Sequence, residues 1–370
     1  MAYSQFSHLR VFQGFLGLIL LSSCGASSML YSRIDSEEKC DCKKDSYWYK
    51  NQCWKDFEDE SISINEIDSV VSAEMTQSES ALITVNNQKH PINVFFPVPQ
   101  DDVFIILTEY TDSEGRKSMI SQVPLKAMRK KEVQTEVIVM NGSAMNGKLD
   151  SIPLASGSVR FNLSKDDDKI VANGHFVELN KSDTVVFNYT GSESLSGLGD
   201  SELKIIGDEA FLSGDLGTKT YAQIKNLIKN HPNVKTLVLT SISGSVNDAV
   251  NMHTGRLVHE AKLNTKVLSN SEIASGAVDL FCAGENRIVE EGAKIGIHSW
   301  CCVNDLTAIE LPNDHPAHKD QINYFTRIMG AENGPEFYFH TLQSAPFNDV
   351  HWMSDEDIQK WNVSTQFLNK

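Results

Sequence analysis

The stretch between residues 267 and 299 constrains the fold of this 370-residue chain more than any other. A short apolar strand at residues 265–268 is followed by a polar turn, and Ser275 then stands directly before Gly276 and a helical run. A strand–turn–helix unit of this kind brings one side chain to a helix N-terminus, where free backbone N–H groups favour developing negative charge. Such units are typical of α/β domains.

The same stretch contains both parts of a nucleophile–base pair. Ser275 opens the helix, and a strand predicted at residues 294–297 delivers His298. A serine hydroxyl needs an adjacent base to act as a nucleophile at neutral pH, and histidine commonly fills that role. A serine that opens a helix is also a common N-cap, and a histidine at a strand end is often only a polar residue. The local pattern therefore leaves both interpretations open.

A second strand–turn–helix unit lies upstream. The apolar run VKTLVL at residues 234–239 is followed by the small-residue turn Ser243-Gly244-Ser245 and by an amphipathic helix. A turn of small residues can aim a backbone N–H outward, and acyl-transfer chemistry needs two such donors for the oxyanion. We expect the N–H groups of Ser245 and Gly276 to be these donors.

Four segments of the chain together resemble the proteolytic subunit of the Clp protease and its periplasmic relatives. The matching segments are GDEAFLSGDLG, LVLTSISGSV, ASGAVDLFCAGENR and KIGIHSW, within residues 207–365. The resemblance implies an α/β Clp-protease/crotonase-like domain of βαβ units with a mostly parallel sheet, preceded by a β-rich domain. It implies that Ser275 is the nucleophile, His298 the base, and Ser245 an oxyanion donor beside Gly276. The family has two glycines in the first turn, and Ser245 replaces the second of them here.

The third member of the implied catalytic triad falls in the loop NDVHWMSDED. Asp349 is the only carboxylate of this loop ahead of Ser354, although it stands one residue away from the position in the family pattern. His351 and Asp305 are the alternatives for this place. The resemblance therefore predicts a triad of Ser275, His298 and Asp349.

The implied activity is that of an exported serine endopeptidase that cleaves peptide bonds of a peptide or protein substrate. The resemblance implies no cofactor and no metal. Two alternatives stay open: a catalytically inactive, protease-like binding or assembly module, and a crotonase-type enzyme acting on coenzyme A thioesters. Export argues against the second alternative because coenzyme A is cytosolic. The resemblance and the aromatic-rich helices after residue 315 predict that the domain forms a homo-oligomer.

The N-terminus indicates export. Arg10 precedes an apolar run that is too short to span a membrane and that ends in the tetrad LSSC at residues 21–24. This tetrad resembles the bacterial lipobox, in which the cysteine is lipidated; an ordinary secretory signal is the alternative. Lipidation of Cys24 would anchor the protein in the cell envelope, facing the periplasm, and Gly25 favours the outer membrane. The net charge of −16 argues against nucleic acid as a partner.

Two N-terminal segments precede the folded domains. Residues 1–23 are predicted to be a lipoprotein signal peptide, and residues 24–60 a polar tether that contains cysteines. An exported chain can oxidise its thiols, so Cys40, Cys42 and Cys53 are interpreted as part of a disulfide-pinned loop. A zinc site is the alternative, although three cysteines without a nearby histidine support it weakly.

Two domains follow the tether. Residues 61–191 contain short β-type runs separated by turns, and they predict a β-sandwich or barrel-like domain with a supporting or docking role. Residues 192–202 are predicted to be a linker. Strands and helices alternate in the Clp-protease-like catalytic domain at residues 200–370, and this alternation predicts a site at the carboxyl ends of the strands.

Several residues of the second domain could take part in chemistry but are interpreted as structural. Asp279 stands four residues after Ser275, and a solvated helix face is favoured over a place in the site. Cys282 is predicted to be a buried free thiol. His315, His318 and His340 match no zinc spacing and are expected to be solvated.

Overall fold

The computed structural model describes residues 46–49, 52–55, 62–100, 103–124, 127, 132–144, 148–163, 169–179, 181–303 and 306–368. The predicted signal peptide with Cys24, most of the tether, and Asp305 lie outside these residues. Within the described ranges, no helix is long and apolar enough to cross a membrane.

The β-rich domain is a closed antiparallel barrel. Its elements follow a short hairpin of β1 (Ser46–Tyr49) and β2 (Gln52–Lys55) and are β3 (Leu82–Val85), β4 (Gln88–Gln100), β5 (Val103–Asp112), β6 (Gly115–Pro124), β7 (Glu132–Ser143), β8 (Lys148–Leu149), β9 (Ala155–Leu163), β10 (Lys169–Glu178) and β11 (Thr184–Ser192). Strand β11 pairs with β3 and strand β6 with β7, which closes a ring of eight strands, while β8 only extends the edge at β7. Of the two predicted architectures, the barrel is therefore the one observed.

Large apolar side chains fill the barrel. Phe95, Phe161 and Phe187 are almost fully buried there, because alternate residues of each strand point inward. The predicted linker is not a free connection. It contains a short helix, α2 (Glu193–Ser196). Leu195 of this helix and Leu198 just after it are buried in the barrel core.

The sequence pattern missed a helix ahead of the barrel, α1 (Ile67–Glu79). This helix packs on the α/β domain, against α3 (Thr218–Asn230). The Tyr221 hydroxyl donates to the Asp68 carboxylate at 2.9 Å, and Thr218 donates to Glu74. The segment before the barrel therefore belongs to the surface of the other domain.

A mostly parallel sheet forms the centre of the second domain. Its elements are β12 (Glu202–Ile206), β13 (Glu209–Ser213), β14 (Thr236–Ile242), α4 (Asp248–Glu260), β15 (Asn264–Ala274), α5 (Gly276–Cys282), β16 (Arg287–Glu290), β17 (Lys294–Ile297), β18 (Cys301–Val303), β19 (Leu306–Thr307), α6 (Lys319–Met329), α7 (Asn333–Ser344), β20 (His351–Trp352), α8 (Asp355–Lys360) and β21 (Gln366–Leu368). Strands β13, β14, β15, β16 and β21 are neighbours and run parallel. The predicted fold class is confirmed.

Strand β15 brings the two predicted catalytic residues to one edge of the sheet. Its first half pairs with β16 and its second half with β17, so that Ala274 lies opposite Gly296. The N–H of Ser275 then donates to the carbonyl of Gly296 at 3.0 Å. Because β15 and β17 are parallel, Ser275 and His298 leave the sheet at the same carboxyl edge.

The helices after the sheet complete the core. Phe325, Phe337 and Tyr338 are buried there. Cys282 is a buried free thiol, as predicted. The prediction that His315 and His318 are solvated is wrong. Both are buried, and His318 Nδ1 lies 2.7 Å from the Tyr338 hydroxyl, because the aromatic helices close over this segment. His340 is half-buried and stacks on Trp361.

Candidate active site

Ser275 occupies a strained turn between β15 and α5. Its φ is 54° and its ψ is −133°, outside the conformations that a residue with a side chain ordinarily adopts. Such a residue persists only where its surroundings hold it, and strained residues of this kind cluster at active sites. Its side chain accepts no capping hydrogen bond from α5. The turn therefore presents the hydroxyl at the sheet edge, as the nucleophile elbow of hydrolases does.

Ser275 and His298 line one cleft. The cleft lies at the carboxyl edge of the sheet and is walled mainly by α5, α6 and α7. Its remaining lining residues combine acidic, amide, hydroxyl and aromatic side chains: Asp248, Gly276, Val278, Asp279, Ile297, Trp300, Gln321, Phe325, Tyr338 and Thr341. The Ser275 hydroxyl and the His298 imidazole therefore line the same cleft.

His298 is held neutral in this cleft. Burial lowers the pKa of the imidazole below its ordinary value, while the neighbouring backbone of Ser299 and Phe347 acts in the opposite direction. Nδ1 is buried and has no hydrogen-bond partner in the described part of the chain. A neutral imidazole is the form that can accept a proton from a serine hydroxyl.

The backbone near Ser245 is arranged to leave one N–H unpaired. The N–H of Leu216 donates to the carbonyl of Gly244 at 2.9 Å, and the N–H of Val246 donates to the carbonyl of Leu216 at 2.8 Å. In this parallel bridge the N–H of Ser245 points away from Leu216. It donates no hydrogen bond among the described residues.

The second predicted donor, Gly276, lies in the first turn of α5, where no intrahelical acceptor exists for its N–H. The turns of Gly244 and Gly276 approach each other closely. A Cβ on Gly244 would lie 3.1 Å from the Ser275 Cβ, and a Cβ on Gly276 would lie 2.7 Å from the Ser245 Cβ. A side chain at Gly276 would therefore force the Ser245 turn to move, and the two turns lie in close contact beside Ser275.

Gly276→Ala should lower the free energy of unfolding by about 1–3 kcal/mol, because the added methyl group forces the Ser245 turn to move. The same movement should displace the oxyanion donors and slow reaction at Ser275. Thermal melts and fluorophosphonate labelling measure the two effects.

The double variant Ser245→Gly/Gly276→Ala is the matched control, because removal of the Ser245 side chain makes room for the new methyl group. It should recover part of the stability, because Asp248 loses the Ser245 hydroxyl and the Asn251 amide stays 3.0 Å from the new methyl group. A Gly276→Ala protein as stable and reactive as the wild type would show that the two turns are not in tight contact.

Sequence reasoning missed Asp248 and favoured a solvated Asp279, but both line the cleft. Asp279 stands one helical turn after Ser275 and faces the same side of α5, so the interpretation as a solvated face is wrong. Burial, and then the nearby Asp248, raises the pKa of Asp279 well above its usual range. Burial also raises the pKa of Asp248, whose carboxylate accepts a hydrogen bond from the Ser245 hydroxyl.

Neither of the two described candidates for a third triad member makes a hydrogen bond or an ion pair with His298. The exposed Asp349 carboxylate accepts from the N–H of Val350 at 2.8 Å and makes no hydrogen bond or ion pair with His298 in the described chain. His351 lies on β20, 3.8 Å from Asp357. Asp305 lies outside the described residues. The structure thus brings Ser275, His298, Ser245 and Gly276 together, and Asp349 stays a prediction.

No group of three or more His, Cys, Asp or Glu side chains within the described ranges is arranged to hold a metal ion. The polar side chains that line the cleft are an imidazole, two carboxyl groups, one amide and three hydroxyl groups, apart from the indole of Trp300.

The chain matches no protein-family model and no curated protein. It is similar in fold to an enoyl-CoA hydratase from Bacillus halodurans, with 16% identity and a TM-score of 0.32, over 46% of this chain and 73% of that one. For an enoyl-CoA hydratase from Bacillus anthracis the identity is 13%, the TM-score 0.31, and the coverage 46% and 70%. A membrane-bound stomatin-specific protease in complex with a substrate peptide has 17% identity and a TM-score of 0.31, over 43% and 73%. These distant likenesses concern the fold alone.

Proposed function

We propose that this protein is a serine hydrolase that cleaves peptide bonds, with Ser275 as nucleophile and His298 as general base. The observation that carries the proposal is the strained turn of Ser275, at φ 54°, in the cleft that His298 also lines. A residue with a side chain is held in such a conformation at a cost of about 1–3 kcal/mol, and a helix cap does not need it.

The reaction follows from these groups. Ser275 Oγ attacks the substrate carbonyl carbon while His298 takes the hydroxyl proton. The N–H groups of Ser245 and Gly276 stabilise the negative charge on the carbonyl oxygen. The amine then leaves with the proton from His298. A water molecule gives a proton to His298 and attacks the acyl carbon, and Ser275 Oγ leaves with that proton, which restores the hydroxyl and the neutral imidazole. Asp349 is proposed to orient the imidazole, as the resemblance implies.

The attachment and assembly of the protein are part of the same proposal. Lipidation of Cys24 would hold the cleft near the membrane surface in the cell envelope, where a peptide or protein substrate is encountered. Self-association is proposed from the resemblance, because the aromatic side chains of α6 and α7 that suggested it from the sequence pack in the core of the domain itself. No nucleic acid is expected as a partner.

The test separates the three candidate functions. The full chain is incubated with a peptide mixture and, separately, with an acyl-coenzyme A thioester, in ¹⁸O-labelled water. Peptide cleavage with ¹⁸O in the new carboxylates is the expected result. Reaction of the thioester without peptide cleavage would favour the crotonase-type alternative. No reaction from a protein with a cooperative melt would favour the binding module.

The pH dependence of peptide cleavage should follow the protonation of the His298 imidazole. Because only the neutral imidazole accepts the proton, activity is lost as the pH falls through the pKa of His298. Burial lowers that pKa, so kcat/KM should fall with a midpoint below the ordinary histidine value of about 6.5. A pH series of kcat/KM checks this, and a midpoint above that value contradicts it.

Asp279→Asn provides the control for this pH series. Asp279 shares the cleft but is not among the groups that shift the pKa of His298. The acid midpoint should therefore stay in place in this variant. A midpoint that disappears with Asp279→Asn would assign the titration to the carboxyl group instead.

A further inference from the structure

A series of polar contacts leads from the barrel towards the turn that holds Ser245. It begins at Arg116 on β6, whose guanidinium group contacts two carboxylates. Arg116 Nη2 lies 2.6 Å from Glu109 Oε2 in the barrel and 3.3 Å from Oδ2 of Asp200, which follows α2. Both carboxylates are buried. Arg116 therefore joins the barrel to the segment that enters the α/β domain.

The barrel fixes the position of Arg116 through Glu109. The Glu109 carboxylate also accepts hydrogen bonds from the Ser118 hydroxyl at 2.9 Å, the Ser143 hydroxyl at 2.9 Å and the Ala144 N–H at 2.6 Å. A buried carboxylate with this many donors is a rigid group. The guanidinium group that pairs with it has little freedom to move.

Asp200 continues the series to Asp215 in the loop after β13. The N–H of Asp215 donates to Asp200 Oδ1 at 2.8 Å, and the N–H of Asp200 donates to the carbonyl of Asp215 at 3.1 Å. Gly199 and Gly214 both have positive φ here, and a Cβ on Gly199 would lie 2.5 Å from the Asp215 carbonyl oxygen. The two segments are therefore packed as closely as glycine allows.

The series ends in the turn that precedes Ser245. The hydroxyl of Ser243 donates to the buried Asp215 carboxylate, and Leu216 accepts from and donates to the backbone on either side of Ser245. Burial and the neighbouring Asp200 raise the pKa of Asp215 to about 7. The loop after β13 thus holds the Ser245 turn by a side chain and by two backbone hydrogen bonds.

We infer that Arg116 and Ser243 are positioning residues that hold the Ser245 N–H in place for the proposed reaction, so that the barrel acts on catalysis from a distance. This inference rests on the proposed function. No barrel residue is among those that line the cleft in the described chain. An oxyanion donor stabilises the transition state only when it is fixed beforehand, and misplacement by about 1 Å can cost about 100-fold in rate.

Ser243→Ala provides the sharpest test because it removes the hydrogen bond between Ser243 and Asp215, the last side-chain contact of the series, without removing a charge. In the full chain, the rate constant of fluorophosphonate inactivation at saturation, kinact, should fall about tenfold while the binding constant KI stays unchanged. Thr240→Val is the matched control: Thr240 lies on β14, three residues before Ser243, and its hydroxyl donates to the Leu212 carbonyl at 3.0 Å, outside the series. This variant should react like the wild type.

Arg116 variants test the far end of the series. Arg116→Lys keeps the charge but not the planar fork that reaches two carboxylates, and Arg116→Met removes both. We expect kinact to fall in the order wild type, Arg116→Lys, Arg116→Met. A thermal melt of each Arg116 variant establishes whether it is folded. If Arg116→Met fails to fold, Ser243→Ala and Arg116→Lys decide the question.

Amide hydrogen exchange adds a readout that needs no activity. Peptides covering residues 241–247 should exchange faster in Ser243→Ala than in the wild type and should be unchanged in Thr240→Val. A wild type that is labelled, together with a Ser243→Ala variant of equal kinact, overturns the inference and leaves the proposed function standing. A folded wild type that is not labelled at Ser275 overturns the proposed function and, with it, a positioning role in catalysis.

Discussion

Ser275→Ala should reduce peptide turnover by about 10⁴- to 10⁶-fold, to the level that binding and the oxyanion donors alone can support. In the proposed reaction the acyl-enzyme bond forms on the Ser275 hydroxyl, and alanine has no group that can form it. Turnover is measured on the peptide that the wild type cleaves best. The melt should change little, because the Ser275 hydroxyl caps no helix N–H.

The control for this variant is Ser269→Ala, another serine of β15, whose N–H rather than hydroxyl donates to Glu290. It should keep wild-type turnover. A folded Ser275→Ala protein with undiminished turnover would remove the nucleophile assignment.

His298→Ala should lower peptide turnover nearly as much as Ser275→Ala does, and the double variant should turn over peptide little more slowly than either single variant. The hydroxyl and the imidazole act as a unit, so removal of one member makes the other useless. Turnover of the two single variants and the double variant, with a melt for each, measures this non-additivity. Two losses that multiply in the double variant would mean that the residues act independently.

Asp349→Asn completes this comparison. The carboxylate of Asp349 is exposed and accepts a hydrogen bond from the N–H of Val350. We therefore expect turnover to fall by no more than about tenfold, far less than for His298→Ala. A loss as large as that of His298→Ala would instead place Asp349 in the catalytic unit, with an orientation that changes when substrate binds.

The arrangement around Ser275 could be predicted from the sequence because short-range pattern determines most of it. An apolar strand, a serine before two small residues, and a helix follow one another directly, and the structure has β15, Ser275 and α5 in that order. His298 follows the next strand but one, and parallel neighbours end at the same edge. The predicted pair therefore meets in one cleft.

Other features depend on contacts between residues far apart in the chain. Whether residues 61–191 form a sandwich or a barrel depends on the β6–β7 and β11–β3 pairings, which no local pattern encodes. Helix α1 has few apolar residues and obtains its burial from α3. Asp248 and Asp279 come from different helices, so only the packing of α4 on α5 shows that both face the cleft.

Active-site labelling of the wild-type protein tests the central claim most directly. The full chain is treated with a fluorophosphonate, digested, and mapped by mass spectrometry, with Ser275→Ala as the control. We expect one adduct, on Ser275, that is absent from Ser275→Ala and that forms more slowly as the pH falls and His298 becomes protonated. A protein with a cooperative melt that carries no adduct, or carries it on another serine, would rule out Ser275 as the nucleophile.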